Sequence, residues 1–112
     1  MVNSIIAMIL LISKMSHEIL EQNIIKWLDK YDRKYIKITN TESLKIIHDF
    51  LINDKLDDIT DYHDSYIYLY YGIYFSCKKD YKNMKKYFNI AIEKGNSRAM
   101  YWLGEYYQKK KK

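Results

Sequence analysis

"AIEKGNSRAMYWLGEYY", residues 91 to 107, is the stretch on which the reading of the fold turns. It carries two of the three glycines in a chain that has no proline, so the Gly95-Asn96 corner is its strongest punctuation. Ahead of the corner, Asp80 caps a predicted helix whose inward stripe is Tyr81, Met84, Tyr87 or Phe88, and Ala91, and Gly95 ends it. Beyond the corner, Ala99, Leu103, Tyr106 and Tyr107 begin a second stripe. Sliding the chain against itself by 32 residues lays "YGIYF", 71 to 75, on "LGEYY", 103 to 107. Gly72 then meets Gly104, Tyr74 meets Tyr106, and Phe75 meets Tyr107. A glycine inside a helix costs up to about 1 kcal/mol relative to alanine, a cost that the close approach of a neighbouring helix offsets. A helix hairpin, a turn and the same first helix again is the pattern of an α-solenoid.

Upstream, the same periodicity finds helices and little else. From Ser16, read as an N-cap, Leu20, Ile24, Trp27, Leu28 and Tyr31 lie on one face and predict a helix to about Lys30. "YIKI", 35 to 38, alternates like a strand but has no second strand to pair with, and is read as a connection. Thr39 and Glu42 have capping-box spacing, and Leu44, Ile47, His48 and Leu51 mark a helix to about Ile52. Asp64 or Ser65 opens the next, "YIYLYYGIYFSC". The expectation is an all-α, right-handed stack of about five helices: a short solenoid with hairpin elements over 65 to 94 and a final helix over 97 to 109.

Composition bounds the rest. With 112 residues, 48% hydrophobic and thirteen tyrosines, the chain is one domain's length and too apolar for disorder. Its formal charge of +5 is mostly the tail Lys109 to Lys112, and Arg33 and Arg98 are the sole arginines. Nucleic-acid binding is therefore not expected, because recognition leans on arginine-bearing basic faces. The lone Cys77 excludes an internal disulfide and suits a reducing, cytoplasmic compartment. No catalytic residue is expected around it, since nothing flanking it brings His17, His48 or His63 near. The polar run "NDKLDDITDYHD", 53 to 64, holds five aspartates and His63 but lacks the order of an EF-hand loop. It reads as a loop with helix caps, and neither a metal nor a cofactor is expected; an enzyme built on residues 57 to 64 is the weakest of the readings.

Residues 1 to 14 stand apart as an apolar leader. "IIAMILLI", 5 to 12, is shorter than the roughly 20 residues that span a bilayer, with no basic residue before it and no small-x-small site after it. Three readings stay open: a start-codon choice with Met15 as the alternative start, a first helix packed into the core, or a membrane-binding segment. Residues 15 to 64 would then be N-terminal helices, a degenerate repeat or cap, and 65 to 112 one repeat hairpin, the first helix of a second copy and the lysine tail.

The wording of this second half resembles the tetratricopeptide and Sel1-like repeat families. Tyr68, Tyr71, Gly72 and Phe75 occupy the first-helix pattern of those families, and Tyr81, Phe88 and Ala91 the second. The junction from Ala91 through Gly95, Ala99, Leu103 and Gly104 is closest to the Sel1-like subgroup, and is similar to repeat arrays encoded by large DNA viruses of amoebae. Met84 stands where the family has a small residue, which implies a wider hairpin. The loop "SCKKD" is short for a Sel1-like repeat, which makes the hairpin tetratricopeptide-like.

The resemblance implies a non-enzymatic module, in the cell or host cytoplasm, that binds a protein or peptide on the inner face of its first helices. That face would comprise Tyr66, Leu69, Ile73, Arg98, Tyr101 and Glu105. Attachment to a membrane through the leader is the lesser expectation. Because Met100, Tyr101 and Trp102 have no following helix to meet, weak self-association through residues 98 to 108 is also expected.

Overall fold

The computed structural model describes residues 2–54, 56 and 61–110, and among them the chain is entirely helical in its regular structure. Five helices follow in order: α1 (Val2–Asp29), α2 (Thr41–Asn53), α3 (Ser65–Cys77), α4 (Tyr81–Glu93) and α5 (Ser97–Lys110). They divide into two compact units, one up to Leu56 and one from Asp57 onward.

In the first unit α1 packs on α2. The helix does not start at Ser16 as expected. It runs unbroken from Val2, because no glycine or proline interrupts residues 2 to 29 and Ser16 sits exposed within it. Its later half is one-sided, with Ile24, Trp27 and Leu28 buried. It closes in a Schellman arrangement: Asp32 takes the left-handed conformation (φ 57°), Arg33 N donates to Leu28 O at 3.0 Å, and Asp32 N to Asp29 O at 3.2 Å. The "YIKI" stretch is a connection, as expected, and its alternation has a purpose: Ile36 and Ile38 are buried, while the intervening Lys37 is exposed. The cap of α2 falls one residue later than the Thr39–Glu42 spacing suggests. Asn40 Oδ1 accepts from Ser43 N at 3.0 Å, asparagine being among the strongest N-cap residues.

Polar clamps tie the first unit together. Tyr35 donates its hydroxyl to Glu21 Oε2 at 2.6 Å, and accepts from Ile38 N at 3.2 Å. Asn23 Nδ2 lies 3.2 Å from His48 Nε2, and His17 Nδ1 lies 3.2 Å from Thr41 Oγ1. Burial, reinforced by the hydrogen bond to Glu21, lifts the Tyr35 phenol well above its ordinary pKa.

The second unit is built on α3, whose residues Ile67 to Tyr74 are all buried, so the helix has no solvent face along that length. Asp64 caps it by accepting from Tyr66 N at 2.9 Å. The hairpin partner α4 buries Met84, Tyr87, Phe88 and Ala91, in agreement with the predicted stripe save at Tyr81. Tyr81 is the first helical residue and is exposed, resting only one side on the ring of Tyr106 at 5.1 Å. The α3–α4 corner is a second Schellman arrangement with Lys79 at φ 62°, Asp80 N bonding Phe75 O at 2.9 Å and Lys79 N bonding Ser76 O at 3.1 Å. Asp80 then caps α4 through Asn83 N at 3.3 Å.

Candidate interaction surfaces

The two helical glycines that align in the sequence have opposite surroundings. A Cβ built on Gly72 would collide with the ring of Phe88, 2.9 Å from Cγ and closer still to Cδ1 and Cε1. Only glycine lets α4 approach α3 this closely. A Cβ on Gly104 meets nothing within 4 Å, and the residue is exposed. The expectation that Gly104 marks a tight crossing is therefore not met: among the described residues no element packs on that side of α5. Gly95 is demanded by conformation instead, at φ 89° with open space around it.

The Gly95-Asn96 corner does more than turn. Gly95 N bonds Ile92 O and Asn96 N bonds Ala91 O, both at 2.9 Å, closing the third Schellman arrangement. Asn96 is 5% exposed; its Oδ1 accepts from Ala99 N at 3.2 Å, capping α5, and its Nδ2 donates to Ser65 Oγ at 3.1 Å. One residue thus joins three helices: its backbone N–H holds the end of α4, and its side chain the starts of α5 and α3. Local reading of the turn found the glycine but not this cross-link, whose partner lies 31 residues away.

Around α3 the tyrosines form a continuous aromatic core. Tyr71 meets Tyr87 edge-on at 5.2 Å, and Phe75 stacks on Tyr87 at 5.5 Å with 4° between the planes. Tyr62 approaches both Tyr68 and Tyr71. Tyr68 OH accepts from Tyr62 N at 3.0 Å. Burial first, then the neighbouring Tyr62, raises the Tyr71 pKa, and burial likewise raises Tyr87. Lysines roof the rim of this cluster, Lys94 over Tyr68 at 5.5 Å and Lys86 over Tyr87 at 5.3 Å, and Lys85 lies over Tyr106 of α5 at 5.3 Å.

Of the six residues expected to form a binding face, the fold leaves three accessible. Leu69 and Ile73 have no exposed surface, so they are core and not groove; an all-apolar helix offers no periodicity by which to tell its inner side from its outer. Tyr66 is half-buried. Arg98, Tyr101 and Glu105 are exposed on α5, with Tyr101 OH donating to Glu105 Oε1 at 2.8 Å, a bond that raises the Tyr101 pKa. Beside Tyr101 (65% exposed) stand Met100 (59%) and Tyr107 (44%), with Gly104 between. Trp102 and Leu103 are half-buried, and Ala99 is the one α5 residue fully within the core.

A second exposed apolar region lies on α1. Ile5, Ile6, Met8, Ile9, Leu10 and Leu11 are each between 49 and 64% exposed, so residues 5 to 11 are not the packed first helix that one reading allowed. The apolar run is short, yet the helix that contains it, Asn3–Asp29, is long and apolar enough by length and composition to cross a bilayer. Among the described residues no group of three or more His, Cys, Asp or Glu side chains could hold a metal ion. Asp57 and Asp58 of the aspartate-rich stretch lie outside the described residues. Comparison of the sequence with protein-family models, with curated proteins and, through its fold, with solved structures returns no match.

Proposed function

We propose that the chain is a non-enzymatic interaction protein, a short α-solenoid of the tetratricopeptide or Sel1-like kind, whose docking surface is the outward side of α5. The observation that carries this reading is the pairing of an exposed glycine with exposed large side chains on one face. Met100, Gly104 and Tyr107 are spaced by four and three residues, so they fall on one side of α5, with Tyr101 adjacent. Gly72 supports it by analogy within the same unit: there a helical glycine admits an aromatic side chain from the neighbouring helix. Gly104 offers the same notch with nothing in it. An apolar, aromatic patch with a notch suits a partner helix or a second copy of the chain, and tyrosine is among the residue types that dominate interface energies.

The test is sedimentation velocity of the full chain across concentration, beside Met100→Glu and Tyr101→Glu. Both positions are exposed, so the helical content of the variants should match that of the parent. Weak self-association that both variants remove is the expected result. Identical behaviour of all three chains would refute α5 as the contact.

A further inference from the structure

We propose that the first half of α1 is a lipid-inserting segment, with the membrane surface lying between Lys14 and His17. The apolar residues of this half are distributed all round the helix. At roughly 100° per residue, Ile5, Ile6, Met8, Ile9, Leu10 and Leu11 leave no gap around the axis wider than about 100°. All six are exposed, and residues 2 to 13 contain no charged side chain. A protein groove or a coiled-coil seam covers one stripe and would leave the other sides in water, whereas hydrocarbon covers every side of a helix at once. From Ile6 onward each helical N–H has a carbonyl acceptor one turn back, so the backbone of the apolar run meets the requirement for insertion. A helix lying flat in the interface would need a polar side, and residues 5 to 11 have none.

The tertiary contacts of α1 set where insertion stops. Lys14 is the first charge and is exposed, able to reach headgroups with its amine while its stem stays apolar. From His17 onward the helix is committed to its own unit: His17 to Thr41, Glu21 to Tyr35, Asn23 to His48, then buried Ile24, Trp27 and Leu28. Asn3–Asp29 therefore cannot serve as one spanning segment without dismantling that packing. The exposed stretch 5 to 11 measures about 10 Å at 1.5 Å per residue, a depth within one leaflet of a hydrocarbon core of about 30 Å.

The experiment is cell-free synthesis of the full chain with phosphatidylcholine vesicles, followed by flotation, beside Ile6→Asp and Leu11→Asp. These two positions point to different sides of the helix and both are exposed, so circular dichroism should not distinguish the variants from the parent. The parent should float, and each aspartate should lower the bound-to-free ratio by at least about tenfold, since a carboxylate in hydrocarbon is strongly disfavoured. Loss of binding in only one variant would overturn the proposal in favour of a one-sided contact. So would flotation that needs phosphatidylglycerol and survives both substitutions, which would assign binding to lysines. A parent chain that ignores neutral vesicles and forms an oligomer abolished by either aspartate would give the segment to a second copy.

Discussion

Replacing Gly72 and Gly104 each by alanine should move stability in opposite directions, although the two glycines occupy equivalent places in the sequence. Both lie inside helices, so alanine gains about 1 kcal/mol of helix propensity at either site. At Gly104 nothing stands within 4 Å of the new methyl, and the gain should appear almost whole, as about 0.5 to 1 kcal/mol of added stability. At Gly72 the methyl would clash with the ring of Phe88, a side chain only 1% exposed and therefore unable to swing into solvent. Overpacking of this kind costs about 1 to 3 kcal/mol, which outweighs the propensity term and leaves a net loss of up to about 2 kcal/mol. Gly72→Leu should lose more. Thermal unfolding followed at 222 nm would read both signs, and for a unit of this size 1 kcal/mol corresponds to a midpoint shift of about 4 to 8 °C. Phe88→Leu should relieve the clash, so the double variant Gly72→Ala with Phe88→Leu should cost less than the sum of the two singles. Equal effects of alanine at positions 72 and 104 would refute the close approach.

Asn96→Ala should cost about 1 to 2 kcal/mol, because it removes the cap on α5 and leaves the corner without its bond to Ser65; Ser65→Ala should cost less, and thermal unfolding of the two would rank them. Lys79→Gly should stabilise by up to about 1 kcal/mol, since Lys79 holds a left-handed conformation that is strained for a side chain; an unchanged denaturation midpoint would speak against it. Gly95→Ala, at the corresponding place in the α4–α5 corner, should destabilise by about 1 to 2 kcal/mol in the same assay. Alkaline pH should unfold the protein through its buried phenols. Tyr35, Tyr71 and Tyr87 hold their protons more tightly folded than unfolded, so their contribution is full below about pH 10 and falls as pH rises beyond it. Phenolate absorbance that rises in step with loss of helical signal would bear this out, and smooth titration of every tyrosine near pH 10 with the helices intact would not.

What the sequence made legible was whatever is decided within a few residues of itself. Asp64 and Asp80 as caps, Gly95 as a turn, and the inward run of Met84, Phe88 and Ala91 are set by local backbone geometry and by a 3.6-residue period. Local signals misled where two of them competed. Thr39 and Asn40 are both cap formers, and the glutamate at 42 favoured the wrong one; Ser16 looks like a cap, but with no glycine or proline before it the helix passes through. The candidate binding face fared worst because exposure is a property of the whole packing. Nothing in "YIYLYYGIYFSC" separates Leu69 and Ile73 from residues that would face a partner, since every side of α3 is apolar or aromatic.

The two aligned glycines differ only in what another helix brings to them. Glycine at 72 and glycine at 104 have the same local meaning, a helical position without a side chain. Their difference is made by Phe88, a residue on another helix that fills one notch and has no counterpart at the other. On the proposed repeat reading, that counterpart would be supplied by whatever helix covers α5, so the open space at Gly104 is the specific place to look for it. An aromatic side chain introduced by a partner at that notch would repeat the Gly72–Phe88 contact between molecules. Gly104→Leu should then raise the stability of the free chain through helix propensity while weakening association, a split that a merely exposed glycine would not produce. Measured together, unfolding midpoint and sedimentation separate the two: a variant that gains stability and associates as the parent does would show that the notch is empty by accident.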